Sequence, residues 1–178
     1  MSTKSPQFQS LAARQPQATV AELLAELIPP REFENASFEN YIPHVEFDSQ
    51  AKAQKRCRDF GKASTKRRLF SKTSKPDATG VYLDGGFGVG KTHLLAAIWH
   101  SFHGRKAFGS FIAYTSLIGA LGFAEAVKAL SRFELVCIDE FELDDPGDTM
   151  MMSRLLNELE KHGVRFAATS NTPPNALG

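Results

Sequence analysis

"GGFGVGKTHLL", residues 85–95, places a cluster of glycines and one lysine directly before an apolar helical pattern. Glycine reaches backbone angles closed to other residues and lets a ligand approach the main chain, so the stretch suits N–H groups gathered around something. The lysine makes that something an anion. Gly85, Gly90, Lys91 and Thr92 fit G-x-x-x-x-G-K-[ST], in which loop N–H groups cradle phosphates, the lysine reaches the outer phosphate oxygens and the hydroxyl binds Mg²⁺. On this reading Gly85, Gly86, Phe87, Gly88, Val89, Gly90, Lys91, Thr92 and His93 make the nucleotide contacts, and Thr92 also faces the metal.

The segments on either side supply the context that such a loop requires. "TGVYLDG" (79–85) reads as a short buried strand, and Leu94, Leu95, Ile98, Trp99 and Phe102 give one face of a helix. "SFIAYTS" (110–116) reads as a second strand, and residues 117–130 as a second helix weakened by Gly119 and Gly122. "FELVCIDE" (133–140) is apolar on both faces, as a parallel strand covered by helices is. After a Pro146-Gly147 turn, Met152, Leu155, Leu156 and Leu159 recur at helical spacing, and Gly163 closes that helix before "VRFAATSN" (164–171), a fourth strand. The alternation predicts an α/β fold: an open parallel sheet flanked by helices, with the loop between a strand and a helix N-terminus that favours anions.

Chemistry gathers at the expected strand ends. Asp139 and Glu140 end the third strand, taken to lie beside the loop strand, where an acid would hold Mg²⁺ through water. Asp139 is the metal-side carboxylate and Glu140 the general base that polarises the attacking water, since a bend at the strand end would let it lean inward. Asn171 ends the fourth strand at the edge where open α/β folds bind ligands. Thr169 and Ser170 read equally as neighbours of the site or as caps of the following turn. A whole strand and helix lie between Lys91 and Asp139, an arrangement similar to the additional-strand, catalytic-glutamate ATPases of the AAA+ group. No N-K-x-D guanine reader occurs, so adenine, and hence ATP, is the expected base. His100 and His103, one helical turn apart, are expected to be solvated rather than metal-bound.

The rest of the chain frames this core. At 178 residues it suits one domain able to bury about 70% of its unfolded surface. Residues 1–45 read as an N-terminal extension and 46–178 as the core. In the extension, a polar start leads to a Thr19–Glu22 capping box, a short helix stopped by Pro29 and Pro30, and an aromatic stretch (Phe33, Phe38, Tyr41, Ile42) spaced to lie over a neighbouring surface. The basic run Lys52, Lys55, Arg56, Arg58, Lys62, Lys66, Arg67, Arg68, Lys72 and Lys75, against Asp59 alone, reads first as a solvated face and second as contact with a phosphate backbone. Net charge is +1, which neither demands nor excludes nucleic acid. The two cysteines show no reason to pair, and no apolar run approaches the ~20 residues that span a bilayer. The opening residues lack the apolar stretch of a secretory signal. A cytoplasmic location is the expectation.

"PPREFENASFENYIP" (29–43), the loop, "CIDEFELDDPGDTMMMSRLL" (137–156) and "GVRFAATSNTPPNALG" (163–178) resemble the ZapE cell-division ATPases, whose mitochondrial relatives are the AFG-like ATPases. The resemblance implies ATP hydrolysis with Lys91, Thr92, Asp139 and Glu140 in the roles above and Asn171 helping to orient the attacking water. It also implies Phe141 as an anchor after the metal site, the division protein FtsZ as a partner, and assembly with further copies. Family members continue past the fourth strand with a fifth strand, an arginine finger and a helical lid, whereas this sequence stops at Gly178. The finger is worth ~10³ to 10⁵ in rate in related phosphoryl-transfer systems, so a truncated chain that binds ATP better than it hydrolyses it is expected. The loop is also similar to that of DnaA-type initiators and of helicase loaders, but initiators usually carry a second aspartate where Glu140 stands. A third reading is a non-hydrolysing, nucleotide-dependent interaction module docking through Phe33, Phe38 and Tyr41.

Overall fold

A computed structural model of the chain describes residues 19–62, 79–142 and 145–173. Helix α1 (Val20–Ala25) and a 3-10 turn (Arg31–Phe33) precede α2 (Asp48–Lys62). Strand and helix then alternate through β1 (Gly80–Asp84), α3 (Lys91–Ser101), β2 (Lys106–Ser110), α4 (Phe111–Leu121), α5 (Phe123–Leu130), β3 (Leu135–Asp139), α6 (Pro146–Lys161) and β4 (Arg165–Ser170). The strands form one parallel sheet in the order β1-β4-β3-β2. The acid-bearing β3 therefore does not lie beside the loop strand β1; β4 is inserted between them and pairs with both.

Alternate residues of β3 go to opposite faces of the sheet. Leu135 and Cys137 pack with α2, α3 and the aromatic stretch, whereas Val136 and Ile138 pack with α4, α5 and α6. All five β3 residues are buried, as its unbroken apolar run predicts. β1 is more open, with only Leu83 buried. In α3 every residue from Leu94 to Ile98 is buried, because the sheet lies on one side and α2 and residues 33–41 on the other. Leu95 and Ile98, fully buried, each contribute roughly 1.5–3 kcal/mol by leaving water. Both cysteines are free and buried; burial pushes the Cys57 thiol up to about 12, so it is protonated and inert at neutral pH.

Three local expectations give way to stronger signals. The segment 110–116 is helical, not extended: the Ser110 hydroxyl accepts the Ala113 N–H at 3.2 Å as an N-cap, and Phe111, Tyr114, Leu117 and Ile118 fall on one buried face. β2 is instead the preceding Lys106–Ser110. The expected single helix over 117–130 is broken into α4 and α5 at Gly122, whose φ of 77° no helix accommodates. Pro146 and Gly147 are not a turn before α6 but its first residues, because Asp145 caps the helix by accepting the N–H groups of Gly147 and Asp148 at 2.7 and 3.1 Å.

The N-terminal capping box forms as predicted, with Glu22 N–H to Thr19 Oγ1 at 3.3 Å and Thr19 N–H to Glu22 Oε2 at 2.7 Å. The following chain lies along the core. Leu27 is buried and its carbonyl accepts the Phe108 N–H of β2 at 2.9 Å, while Phe38 and Tyr41 are buried in the α3 cluster. Those two aromatics are thus internal and do not form the docking surface of the third reading. Ile42, expected beside them, is 87% exposed because the chain leaves the core after Tyr41. On α2, Lys52, Lys55, Arg56 and Lys62 are exposed; Lys66, Arg67, Arg68, Lys72 and Lys75 lie outside the described residues, as do residues 1–17. No helix among the described residues is long and apolar enough to cross a membrane.

Candidate active site

Three glycines shape the loop between β1 and α3. Gly85, Gly88 and Gly90 take φ values of 148°, 74° and 85°, in the region that side chains disfavour. Gly90 has a second reason to lack a side chain, since a Cβ there would lie 2.6 Å from Tyr41 Cε2. It is also the N-cap of α3 and contributes no side-chain bond, which leaves the first N–H groups of that helix available to an anion. Around the Cβ positions of Gly86 and Gly88 nothing lies within 4 Å, so the loop is open where a phosphate would settle.

Lys91 folds back over this loop. Its Nζ donates to the carbonyls of Gly85 and Gly86 at 2.7 Å each and to Asn171 Oδ1 at 3.0 Å. The next residue, Thr92, donates its hydroxyl to Asp139 Oδ1 at 3.2 Å. Two hydrogen-bonded pairs thus tie α3 to β3 and to the end of β4, and although 80 residues separate Lys91 from Asn171, all four residues line one cleft. Asp139 is buried and its Oδ1 also accepts the Thr169 hydroxyl. Glu140 has a φ of 52°, the single positive value at a non-glycine residue among those described. The strand end does bend, and exposed Glu140 lines a cleft of about 260 Å³ with Lys91, Thr92, Asp139 and Asn171. Phe141 is buried edge-on against Phe111, ring centroids 5.8 Å apart, and anchors the chain beyond the acids.

Two participants carry no motif. Glu142 braces the end of β4: its Oε1 accepts the Asn171 N–H at 2.8 Å and the Ser170 hydroxyl at 3.3 Å, and its Oε2 accepts the Thr172 hydroxyl at 3.0 Å. Burial opposes its charge, but the bonds from Asn171, Thr172 and Ser170 outweigh burial and hold its pKa below the ordinary carboxylate value. Tyr41 is the other. Its hydroxyl donates to the Val89 carbonyl at 2.9 Å and its ring packs 5.6 Å from that of His93. The His93 ring is itself engaged by the Ser37 carbonyl, with Nε2 at 3.0 Å.

A second cavity of about 290 Å³ opens on the other flank of the loop, walled by Tyr41, Phe47, Leu83, Val89 and Leu94, with Gln50 at its side. His100 is half-buried rather than solvated, its Nε2 lying 3.0 Å from the Phe33 carbonyl, while His103 is exposed. Among the described residues no three His, Cys, Asp or Glu side chains converge on one point. Thr92 and Asp139 still fit Mg²⁺, because both offer hard oxygen donors and this ion is commonly held by one or two carboxylates together with substrate phosphates.

A family model of the AFG1-like ATPases matches residues 17–178. The chain is similar to cell division protein ZapE of Escherichia coli, 30% identical over an alignment of 116 residues that covers 59% of this chain and 31% of that protein. It is also 30% identical to lactation elevated protein 1 homolog B of Danio rerio over 145 residues, 68% of this chain and 29% of that one. The chain therefore spans about a third of the length of these relatives. In three dimensions it is similar to AMPPCP-bound DnaA from Aquifex aeolicus, with a TM-score of 0.61 at 16% identity, covering 82% of this chain and 44% of that one. It is also similar to DnaI, with a TM-score of 0.58 at 23% identity over 85% of this chain and 82% of that one. These likenesses are of fold: a parallel α/β sheet flanked by helices.

Proposed function

The chain belongs to the AFG1-like ATPase family, and from that membership and the site geometry we propose that it binds ATP and Mg²⁺ in the cleft above the loop and hydrolyses the terminal phosphate. The observation that carries this reading is the convergence of Lys91, Thr92, Asp139 and Asn171 on one cleft, with Lys91 bonded to Asn171 and Thr92 to Asp139. In it, Lys91 exchanges the loop carbonyls for phosphate oxygens, and the N–H groups of the loop and of the first turn of α3 hold the rest. Thr92 and Asp139 hold the metal ion, which when bound neutralises phosphate charge. Glu140 removes a proton from the attacking water as that water's oxygen bonds to the terminal phosphorus; the bond from phosphorus to the bridging oxygen breaks and ADP leaves. Asn171, released by Lys91, orients the water. The second cavity, apolar and bordered by the Gln50 amide, suits the adenine ring.

The test is Mg²⁺-dependent ATP binding and hydrolysis by the chain over a range of protein concentrations, beside Lys91→Ala and Glu140→Gln. Lys91→Ala should lose nucleotide binding by at least tenfold, the loss of charge-assisted hydrogen bonds. Glu140→Gln should keep binding while turnover falls 10²- to 10⁴-fold, the usual range for a general base, as an order of magnitude. Binding that survives Lys91→Ala, or turnover that survives Glu140→Gln, would sink the assignment. Activity that rises more than in proportion to concentration would indicate that a neighbouring copy completes the site. Action on the division ring, with FtsZ as partner, follows from similarity to ZapE; absence of co-sedimentation with FtsZ polymers would remove that part alone.

A further inference from the structure

Thr169 fixes three successive residues of the neighbouring strand end. It is 1% exposed and lies one position past Ala168, which pairs with Ile138 at the last register of β3 with β4. Its hydroxyl donates to Asp139 Oδ1 and accepts the Glu140 N–H at 3.0 Å, and its main-chain carbonyl accepts the Phe141 N–H at 2.7 Å. A hydroxyl has one hydrogen and two lone pairs. With the hydrogen committed to the carboxylate, only a lone pair remains for the N–H, so the rotation of this hydroxyl is set from both sides.

The two side-chain bonds act on the two residues whose placement the chemistry needs. One holds the Asp139 carboxylate at Oδ1, the oxygen that also accepts the Thr92 hydroxyl. The other, with the carbonyl bond beside it, pins the chain on either side of the Glu140 Cα, where the backbone takes its left-handed turn. Non-glycine residues hold such angles only where the surroundings over-determine them. Resting on the reading of Asp139 as the metal carboxylate and Glu140 as the base, we propose that Thr169 is a positioning residue, acting through its hydroxyl to orient Asp139 toward Mg²⁺ and to hold Glu140 at the mouth of the cleft.

The experiment titrates ATP carrying a fluorescent ribose ester into the full chain, once with Mg²⁺ and once with EDTA. Thr169→Val, Thr169→Ser, Asp139→Asn and the double variant T169V/D139N are compared with the parent. Thr169→Val should keep metal-free affinity within about twofold, since Lys91 and the loop are untouched. It should lose about 10- to 100-fold of the tightening that Mg²⁺ brings, the usual cost of removing a partner that orients a metal ligand. Thr169→Ser should retain the tightening, and the double variant should bind no more weakly than Asp139→Asn.

A Thr169→Val chain with parental Mg²⁺ tightening, while Asp139→Asn has lost it, overturns the proposal and leaves the metal assignment standing. Tightening that persists in Asp139→Asn, or that the parent never shows, overturns the metal assignment and the proposal with it. Thr169→Cys, of similar volume but without the hydroxyl, should behave as Thr169→Val. If both unfold while Thr169→Ser folds, the hydroxyl serves the fold and the positioning role is refuted.

Discussion

Gly86 and Gly90 belong to one motif, yet their surroundings are opposite. Gly86 has open space where a Cβ would stand and no left-handed angle, whereas Gly90 combines a φ of 85° with the Tyr41 ring at 2.6 Å from that position. Gly90→Ala should therefore destabilise the fold by about 1–3 kcal/mol, the cost of a left-handed non-glycine residue with a close contact added. Gly86→Ala should stay within about 0.5 kcal/mol, as surface substitutions do. Urea unfolding midpoints measure both, and equal losses would contradict the role given to Tyr41. The motif shows which glycines a phosphate needs but not which of them a tyrosine needs. That contact joins residues 48 apart through the Tyr41–Val89 bond, and no local pattern encodes it.

Among the elements, the ends of β3 and β4 are tied by Glu142 as well as by Thr169. The folded pKa of Glu142 is depressed below the ordinary value of 4.5, so its contribution to stability is complete above that value and is lost as pH falls through the lower folded one. Glu142→Gln should accordingly flatten the decline in melting temperature between neutral pH and the acid side of 4.5, while leaving Asn171 less firmly held. A variant whose acid unfolding curve overlays the parent's would show that these bonds do not act on stability. Element identity was legible where period and caps agreed, as in the five buried residues of β3 and the Met152–Leu155–Leu159 face of α6. It was not legible at 110–116, where β-branched and aromatic residues suggest a strand while the spacing of Phe111, Tyr114 and Ile118 and the Ser110 cap fold a helix. The insertion of β4 between β1 and β3 was also invisible, since strand order depends on pairing between distant segments.

Across the whole molecule, residues 27–41 run from the edge of β2, where Leu27 accepts the Phe108 N–H, to the phosphate loop under Tyr41. The Phe33 and Ser37 carbonyls meet His100 and His93 of α3 on the way. Placing a boundary near residue 46 follows composition, but Leu27, Phe38 and Tyr41 lie in the core on the other side of it. A chain that starts at residue 46 should therefore melt well below the full chain, each lost apolar side chain removing roughly 1.5–3 kcal/mol. Equal melting temperatures in calorimetry would show these residues to be dispensable. The placement of the candidate site was the most legible part, because the loop, the Asp139–Glu140 pair and Asn171 all fall at strand ends on one edge of the sheet and line one cleft.

Lys91 already has three oxygen partners, two loop carbonyls and the Asn171 amide. An incoming anion thus meets a cation that is solvated by its own protein, and binding is an exchange of one coordination shell for another. On the proposed reading, a ligand that meets Lys91 alone only replaces bonds the lysine already has, whereas one that also engages the loop N–H groups adds bonds that the free chain lacks.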